Sequence, residues 1–139
     1  MGTNQQTVQD IYQAFGRGDI PAILATMSAQ VQWESWADSS AQRAGVPSLA
    51  PRQGPDGVMA FFQVAGGLTI HEFKVLDVIG NGDQVAVEVL IDCTVPSTGQ
   101  RLRDEELHLW SFGADAKVLR MRHYVDTAKH IRAWGCALP

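Results

Sequence analysis

Three long segments of alternating apolar and polar residues follow one another in the second half of the chain. They span residues 70–79, 84–95 and 101–112, and a period of two is typical of β-strands that bury one face. Turn-forming residues separate the three segments at positions 80–83 and 96–99. The pattern therefore predicts antiparallel hairpins, and a further strand at residues 118–125 would extend the same meander.

The N-terminal residues show helical spacing instead. Thr3 and Gln6 match a capping box, and the apolar stripe behind them consists of Val8, Ile11, Tyr12 and Phe15. Asp19 predicts the start of a second short helix, with Pro21 in its first turn. These signals predict two helices before the first strand.

The remaining elements are shorter. Residues 31–36 alternate and predict a first strand, residues 58–64 predict a third helix, and residues 127–134 predict a terminal helix capped by Asp126 or Thr127. Residues 37–55 are rich in Ser, Gly and Pro and predict a long loop that serves as a lid or contacts a partner.

Helices followed by an antiparallel meander form the α+β pattern, in which the helices cover one face of a curved sheet. Such a sheet encloses a cone-shaped space, and an opening at one end would make that space a small-molecule pocket. A chain of 139 residues is long enough to bury one core. We therefore expect a single domain over residues 1–139.

Composition excludes several classes of partner. The net charge of −4 and the absence of a basic run argue against nucleic-acid binding, and no apolar stretch approaches the roughly 20 residues that cross a bilayer. The first residues carry no secretory pattern, so the cytoplasm is the expected location. Cys93 and Cys136 are too few for a disulfide framework, and neither they nor the four histidines have metal-ligand spacing, so no metal is expected.

Four segments together resemble the nuclear transport factor two-like superfamily, and within it the SnoaL-like and ketosteroid isomerase-like proteins. The segments are residues 11–19, 28–33, 54–62 and 117–126. The resemblance implies a cone-shaped barrel in which a curved, mostly antiparallel sheet wraps around N-terminal helices. Members of the superfamily are often dimers. The superfamily includes isomerases, cyclases, epoxide hydrolases, dehydratases and proteins without chemistry, so the fold alone does not fix the reaction.

The catalytic positions of known members match this chain only in part. Where ketosteroid isomerases carry a carboxylate base, the strand register places Ser35, and His108 replaces their protonated acid. Tyr12 stands one position from the expected tyrosine, which leaves its orientation open. The pattern of limonene epoxide hydrolases is absent from residues 88–90, and His123 replaces their last aspartate. The match is better with SnoaL-like cyclases, since His108 resembles their penultimate-strand histidine and His123 lies near their acidic residue.

Strand alternation places Glu106, His108 and Trp110 on one face of their strand. Residue periodicity leaves open whether that face or the aliphatic face with Leu107 and Leu109 packs on the helices. The resemblance favours a pocket that contains both histidines. The predicted catalytic residues are His108 and His123. The predicted substrate-binding residues are Tyr12, Phe15, Trp33, Ser35, Phe61, Phe62, Glu106 and Trp110. Arg101, Arg103, Asp104 and Glu105 are expected to form a solvated hairpin.

Two functional hypotheses follow. The first is an isomerase, cyclase or lyase without a cofactor, in which His108 and His123 transfer protons on a small apolar substrate. The alternative is a ligand-binding or assembly protein of the same fold, which the serine at position 35 favours. In either case the outer sheet face around Leu107 and Leu109 would be apolar and exposed, so a homodimer is expected.

Overall fold

The computed structural model describes residues 2–138 and contains helices and strands in nearly the predicted order. The elements are α1 (Asn4–Gly16), α2 (Ile20–Leu24), β1 (Met27–Trp33), α3 (Ser40–Ala44), β2 (Arg52–Gln53), α4 (Gly54–Gly66), β3 (Thr69–Ile79), β4 (Gln84–Val95), β5 (Gln100–Phe112), β6 (Val118–Tyr124) and α5 (Thr127–Ala133), with a 3₁₀ turn at Pro47–Leu49. No helix within the described residues has the length and apolar character needed to cross a membrane.

The strands form one curved sheet in the order β2-β1-β6-β5-β4-β3. Strands β3 to β6 pair antiparallel as the predicted meander, whereas β1 lies parallel to β6. Buried residues of α1 and α4, such as Val8 and Val58, share one apolar core with Val87 of β4 and Trp110 of β5. The predicted α+β architecture, a mostly antiparallel sheet wrapped around N-terminal helices, is confirmed.

Three helices begin where their capping residues predict. The side chain of Thr3 accepts a hydrogen bond from the backbone N–H of Gln6 at the start of α1, and Asp19 does the same for Ala22 in α2. Asp126 caps α5 through the N–H of Lys129. Each cap satisfies a backbone donor that the first helical turn leaves free.

The first strand differs from its prediction at both ends. It begins at Met27 and ends at Trp33 instead of spanning residues 31–36. Glu34 then adopts a left-handed backbone conformation with φ of 57°, which reverses the direction of the next side chains. The alternation at residues 33–36 therefore does not correspond to an extended strand.

The predicted loop at residues 37–55 is largely structured. It contains α3, the 3₁₀ turn and β2, and α4 begins at Gly54, four residues before its predicted start. Ala41, Val46 and Leu49 are buried and pack against Ile131 of α5 in a small second apolar cluster. Because apolar residues here are sparse and irregularly spaced, periodicity alone does not reveal this packing.

The depth of the main core predicts a large difference between two isoleucines. Ile23 of α2 is fully buried, whereas Ile79 at the end of β3 is 52% exposed. We expect Ile23→Ala to reduce the free energy of unfolding by about 2–5 kcal/mol. The matched change Ile79→Ala should reduce it by less than about 1 kcal/mol. Urea unfolding followed by tryptophan fluorescence measures both, and equal losses would contradict the assigned core.

Candidate active site

A cavity of about 100 Å³ lies inside the cone, between helices α1 and α4 and the inner faces of β5 and β6. Every predicted site residue except Ser35 lines it: Tyr12, Phe15, Trp33, Phe61, Phe62, Glu106, His108, Trp110 and His123. The inner face of β5 is therefore the one with Glu106, His108 and Trp110, all buried, while Leu107 is exposed on the outer face. This resolves the choice that periodicity left open.

Two open grooves adjoin the cavity. A groove of about 990 Å³ between α1, α4 and β3 shares Tyr12, Phe15, Phe62 and Phe73 with it and is mainly apolar. A second groove of about 670 Å³ shares Leu49, Glu106 and His123 with the cavity and also contains Glu34. The cavity thus has an apolar side and a polar side.

His123 is anchored by Glu34 at the polar side. Its Nδ1 lies 2.6 Å from Glu34 Oε1, which also accepts the backbone N–H of His123 at 2.5 Å. Glu34 Oε2 accepts a hydrogen bond from the indole of Trp36 at 2.7 Å. A carboxylate that accepts three hydrogen bonds requires a proton on His123 Nδ1, so in the neutral ring Nε2 carries the lone pair. Within residues 2–138, Nε2 has no hydrogen-bond partner.

His108 is held on both sides of its ring. Its Nε2 donates to Glu106 Oε1 at 3.0 Å, and its Nδ1 accepts from the hydroxyl group of Tyr12 at 2.6 Å. The same hydroxyl oxygen accepts the indole N–H of Trp110 at 3.1 Å. Burial and the nearby His123 lower the pKa of His108, although Glu106 opposes this change. Burial also raises the pKa of Tyr12 well above its ordinary value, so both groups are neutral near pH 7.

The rings of the two histidines meet edge to face, with centroids 4.4 Å apart. Phe61 packs against His123 at 5.4 Å and against Trp33 at 5.1 Å, and Trp33 contacts Trp110 at 5.7 Å. An aromatic wall therefore surrounds the imidazoles. It gives the imidazoles a largely apolar environment, in which their hydrogen bonds are stronger than in water.

His130 of α5 extends this network behind Glu106. Its Nε2 lies 2.9 Å from Glu106 Oε2 and 3.1 Å from Asp104 Oδ2. Burial alone would lower the pKa of His130, but hydrogen bonds and attraction from the two carboxylates raise it to about 9. Burial would likewise raise the pKa of Glu106, but His108 and His130 outweigh it and lower that pKa well below its usual range. His130 is therefore an imidazolium between two carboxylates at neutral pH.

Among the described side chains, Asp104, Glu106 and His130 form the group whose donor atoms lie close enough to share a metal ion. One donor atom each from Asp104, Glu106 and His130 lies within 4.8 Å of the others. His130 Nε2 already donates to both carboxylates, so a cation would have to displace that proton. The arrangement fits an ion triad of protein groups without requiring a metal.

Two expectations about site residues are corrected, and the structure also gives the orientation of Tyr12, which the sequence left open. Ser35 does not line the cavity, because β1 ends at Trp33, and its carbonyl oxygen instead accepts from Arg122 Nε at 2.7 Å. Asp104 is not solvated but 4% exposed and bound to His130. Tyr12 faces the cavity despite its offset from the expected position.

Two functional candidates were absent from the predicted set, Glu34 and His130. Alternation placed Glu34 on the face opposite Trp33, and no sequence signal indicates the left-handed turn that brings it inside. By period-two alternation, Asp104 lies on the same strand face as Glu106 and His108. Two carboxylates on a buried face indicate that a positively charged residue pairs with them. The apolar spacing of the terminal helix places His130 next to the buried Ile131, which only weakly indicates that His130 is the residue paired with these carboxylates.

Comparisons with known proteins agree with this fold. The family model described as SnoaL-like domain matches residues 8–121. An NTF2-like protein of unknown function from Burkholderia pseudomallei is 26% identical, with a TM-score of 0.74 over 96% of this chain and 98% of that one. An NTF2-like protein from Burkholderia thailandensis is 24% identical, with a TM-score of 0.79 over the same shares.

A further solved structure is that of TerC crystallised with polyporic acid. It is 22% identical, with a TM-score of 0.72 over 95% of this chain and 98% of that one. A search of curated protein sequences finds no match. The resemblance read from residues 11–19, 28–33, 54–62 and 117–126 is confirmed.

The charge on His130 predicts a specific pH dependence of stability. Its pKa rises from 6.5 to about 9 on folding, so its stabilisation is complete below about pH 6.5 and is lost as the pH rises through about 9. We expect His130→Gln to be less stable than the wild type at about pH 6, with a difference that shrinks toward about pH 9.5. Urea unfolding across this range measures the difference. A difference that stays constant with pH would contradict the charged assignment.

Proposed function

Because the chain belongs to the SnoaL-like domain family, we propose that it is a single-domain enzyme of the isomerase or cyclase type that needs no cofactor and transfers protons on an apolar substrate. The observation that carries the proposal is the Glu34–His123 pair. A carboxylate holds one nitrogen of the imidazole, and the other nitrogen is free at the wall of the cavity.

His123 is the proposed base. Glu34 fixes the ring orientation and the tautomer, and it stabilises the imidazolium that forms when Nε2 accepts a proton. An imidazole performs this role well because its ordinary pKa lies close to neutral pH. Glu34 itself is 1% exposed, so its charge is little screened by water and acts mainly on His123.

His108 has a different proposed role, because both of its ring nitrogens are already bonded. Glu106 keeps the proton on Nε2, which leaves Nδ1 to accept from Tyr12. The single hydroxyl proton of Tyr12 is therefore directed at His108 Nδ1, and His108 fixes the position of the Tyr12 side chain. The pair is proposed to orient the wall of the cavity, while His123 both removes the proton and returns it.

The walls of the cavity support an aromatic or polycyclic substrate. Five aromatic side chains offer ring faces and edges, the surfaces that bind flat apolar molecules. They are Phe15, Phe61, Phe62, Trp33 and Trp110. TerC, which has the same fold, was crystallised with polyporic acid. We propose that an apolar molecule of this general shape occupies the cavity.

The two grooves suggest separate routes to the site. A cavity of about 100 Å³ is smaller than the roughly 300 Å³ at the lower end for drug-sized ligands, so a ligand would extend into a groove. The groove between α1, α4 and β3 suits apolar atoms. The groove that contains Glu34 and His123 would let protons exchange with solvent.

Hydrogen exchange tests the base without knowledge of the natural reaction. We expect the protein to catalyse deuterium incorporation at the α-carbons of β-tetralone in D₂O, measured by NMR. Replacing His123 with Asn should slow this exchange by roughly 10²–10⁴-fold. The matched control is His71→Asn, since His71 lies on exposed β3 and bonds only Thr94 among the described residues.

The outcomes of this assay separate the two functional hypotheses. An unchanged rate in His123→Asn would remove the proposed base. Binding of the ketone by the wild type without any exchange would favour a non-catalytic ligand-binding protein instead.

A homodimer is a further part of the proposal. Leu107 and Tyr124 pair on the outer side of β5 and β6 and expose 36% and 41% of their surface, and Leu119 of β6 and Leu76 and Ile79 of the edge strand β3 are also exposed. Apolar area of this kind is uncommon on a stable monomer. A second copy packed against the same face around a two-fold axis would cover it.

Charges on this face should weaken the dimer. We expect Leu107→Glu and Leu109→Glu each to shift sedimentation at micromolar concentration toward the monomer mass of 15.2 kDa. Burying an unpaired carboxylate at an interface is unfavourable. Glu105→Gln is the control on the same strand, because it removes a carboxylate charge, whereas the two leucine variants each add one. A wild type that sediments as a monomer, or a dimer that resists both changes, would contradict the proposal.

A further inference from the structure

Glu106 connects two histidines, one in the cavity wall and one on α5. Its Oε1 lies 3.0 Å from His108 Nε2, and its Oε2 lies 2.9 Å from His130 Nε2. The carboxylate and both imidazoles are buried. A buried carboxylate that binds two imidazoles can stabilise a positive charge on either ring. The group therefore has two places for one charge.

Asp104 makes the two places unequal. Its Oδ2 lies 3.1 Å from His130 Nε2, so His130 contacts two carboxylates whereas His108 contacts one. Two carboxylates this close together in a buried site cannot both stay ionised without a cation between them. His108 lies instead beside the ring of His123, with centroids 4.4 Å apart, and burial and this neighbour lower the pKa of His108. The charge therefore belongs on α5 and not on the cavity wall.

The other titratable groups near His130 leave this balance in place. Lys129 Nζ lies 3.9 Å from Asp104 Oδ1, but its side chain is half-exposed, so water screens its charge. Asp126 contacts Asp104 through its backbone N–H at 3.1 Å, and its own carboxylate caps α5. Burial raises the pKa of the Cys93 thiol to about 11, so that group is neutral. His130 is therefore the buried cation that the two carboxylates require.

The hydrogen bonds of Tyr12 depend on the neutral state of His108. The hydroxyl group donates its single proton to His108 Nδ1 at 2.6 Å, and its oxygen accepts the indole N–H of Trp110 at 3.1 Å. On the side of β6, the ring of His108 faces His123, whose own carboxylate partner is Glu34. An imidazolium at position 108 would carry a proton on Nδ1 and would donate it to the Tyr12 oxygen. The hydroxyl proton of Tyr12 would then be released to a ligand.

We propose that His130 is a positioning residue, which keeps the positive charge on α5 so that His108 stays neutral and the Tyr12 hydroxyl group stays bonded to it. It acts through Glu106, three hydrogen bonds from Tyr12. The polar hydrogens of Tyr12, His108 and Trp110 are then all engaged within the protein, which favours apolar ligand atoms over hydrogen-bond acceptors at this end of the cavity. The inference concerns the cavity wall and holds for an enzyme and for a ligand-binding protein alike.

Nitrogen-15 NMR of the imidazole rings tests the proposal in the wild type, without a ligand. The chain has four histidines, so few ring signals need to be assigned. At about pH 7 we expect a neutral ring with its proton on Nε2 for His108. We expect a charged ring for His130, which loses its proton only as the pH passes about 9. A charged His108 or a neutral His130 at that pH would overturn the proposal.

The variant His130→Gln should move the charge to the cavity wall. Glutamine offers the carboxylates neutral N–H donors only, so the buried pair needs another cation. We expect His108 to become that cation, because imidazole is a stronger base than a carboxylate. The titration midpoint of its ring should rise by about 1–3 pH units relative to the wild type. A ring of His108 that titrates as in the wild type, with the carboxylates sharing the proton instead, would overturn the role of His130.

The variant His130→Lys separates charge from shape. Lysine restores a positive charge beside the carboxylates but not the ring, so the midpoint of His108 should return close to its wild-type value. Equal disturbance of His108 by both substitutions would show that His130 acts only through its shape, and would overturn the proposal. His71→Gln on exposed β3 is the matched control and should leave His108 unchanged. The wild-type rings and His130→Lys decide the question even if His130→Gln does not fold.

Discussion

The cost of burying charge determines how the interior of this cone is built. Glu34, Asp104, Glu106, His108 and His130 are all less than 9% exposed, and an unpaired charge at such a depth would be prohibitive. Each is paired across a boundary between elements. Glu34, which follows β1, binds His123 of β6. Tyr12 of α1 binds His108 of β5. His130 of α5 binds Asp104 and Glu106, both of β5. The polar network therefore positions α1, α5 and the end of β1 against the sheet.

The same pairing makes the two cavity histidines unequal. His108 uses both ring nitrogens within the protein, and burial lowers its pKa so that it stays neutral. His123 uses one nitrogen and lies between the cavity and the polar groove. Sequence similarity to cyclases marks both residues as catalytic candidates on neighbouring strands but does not report their hydrogen bonds. Their hydrogen bonds assign them distinct proposed tasks, one as the base and one as the support of Tyr12.

The sequence predicts the sheet better than it predicts the site. Period-two alternation and capping residues give β3 to β6, α1 and α5 within a residue or two, since local patterns determine these elements. They also give the start of α2 at Ile20. The inward face of β5 needed the resemblance, because both of its faces carry apolar residues. Ser35 was the wrong choice because a single left-handed residue breaks the register after Trp33. His130 was missed because its partners lie 24 and 26 positions away, and helical periodicity does not report contacts at that range.

The conformation of Glu34 links local strain to the proposed chemistry. A left-handed backbone costs a non-glycine residue of the order of 1–2 kcal/mol, and in a protein it persists where the surroundings fix it. Ala116, the other described non-glycine residue with positive φ, lies in an exposed turn where such backbones are common. Glu34 lies instead at the buried end of a strand, and its carboxylate accepts three hydrogen bonds there. Glycine would relieve the strain but would remove those acceptors and leave the proton on His123 Nδ1 without a partner. The retained strain is therefore explained by the side chain, which orients the imidazole, rather than by the needs of the turn.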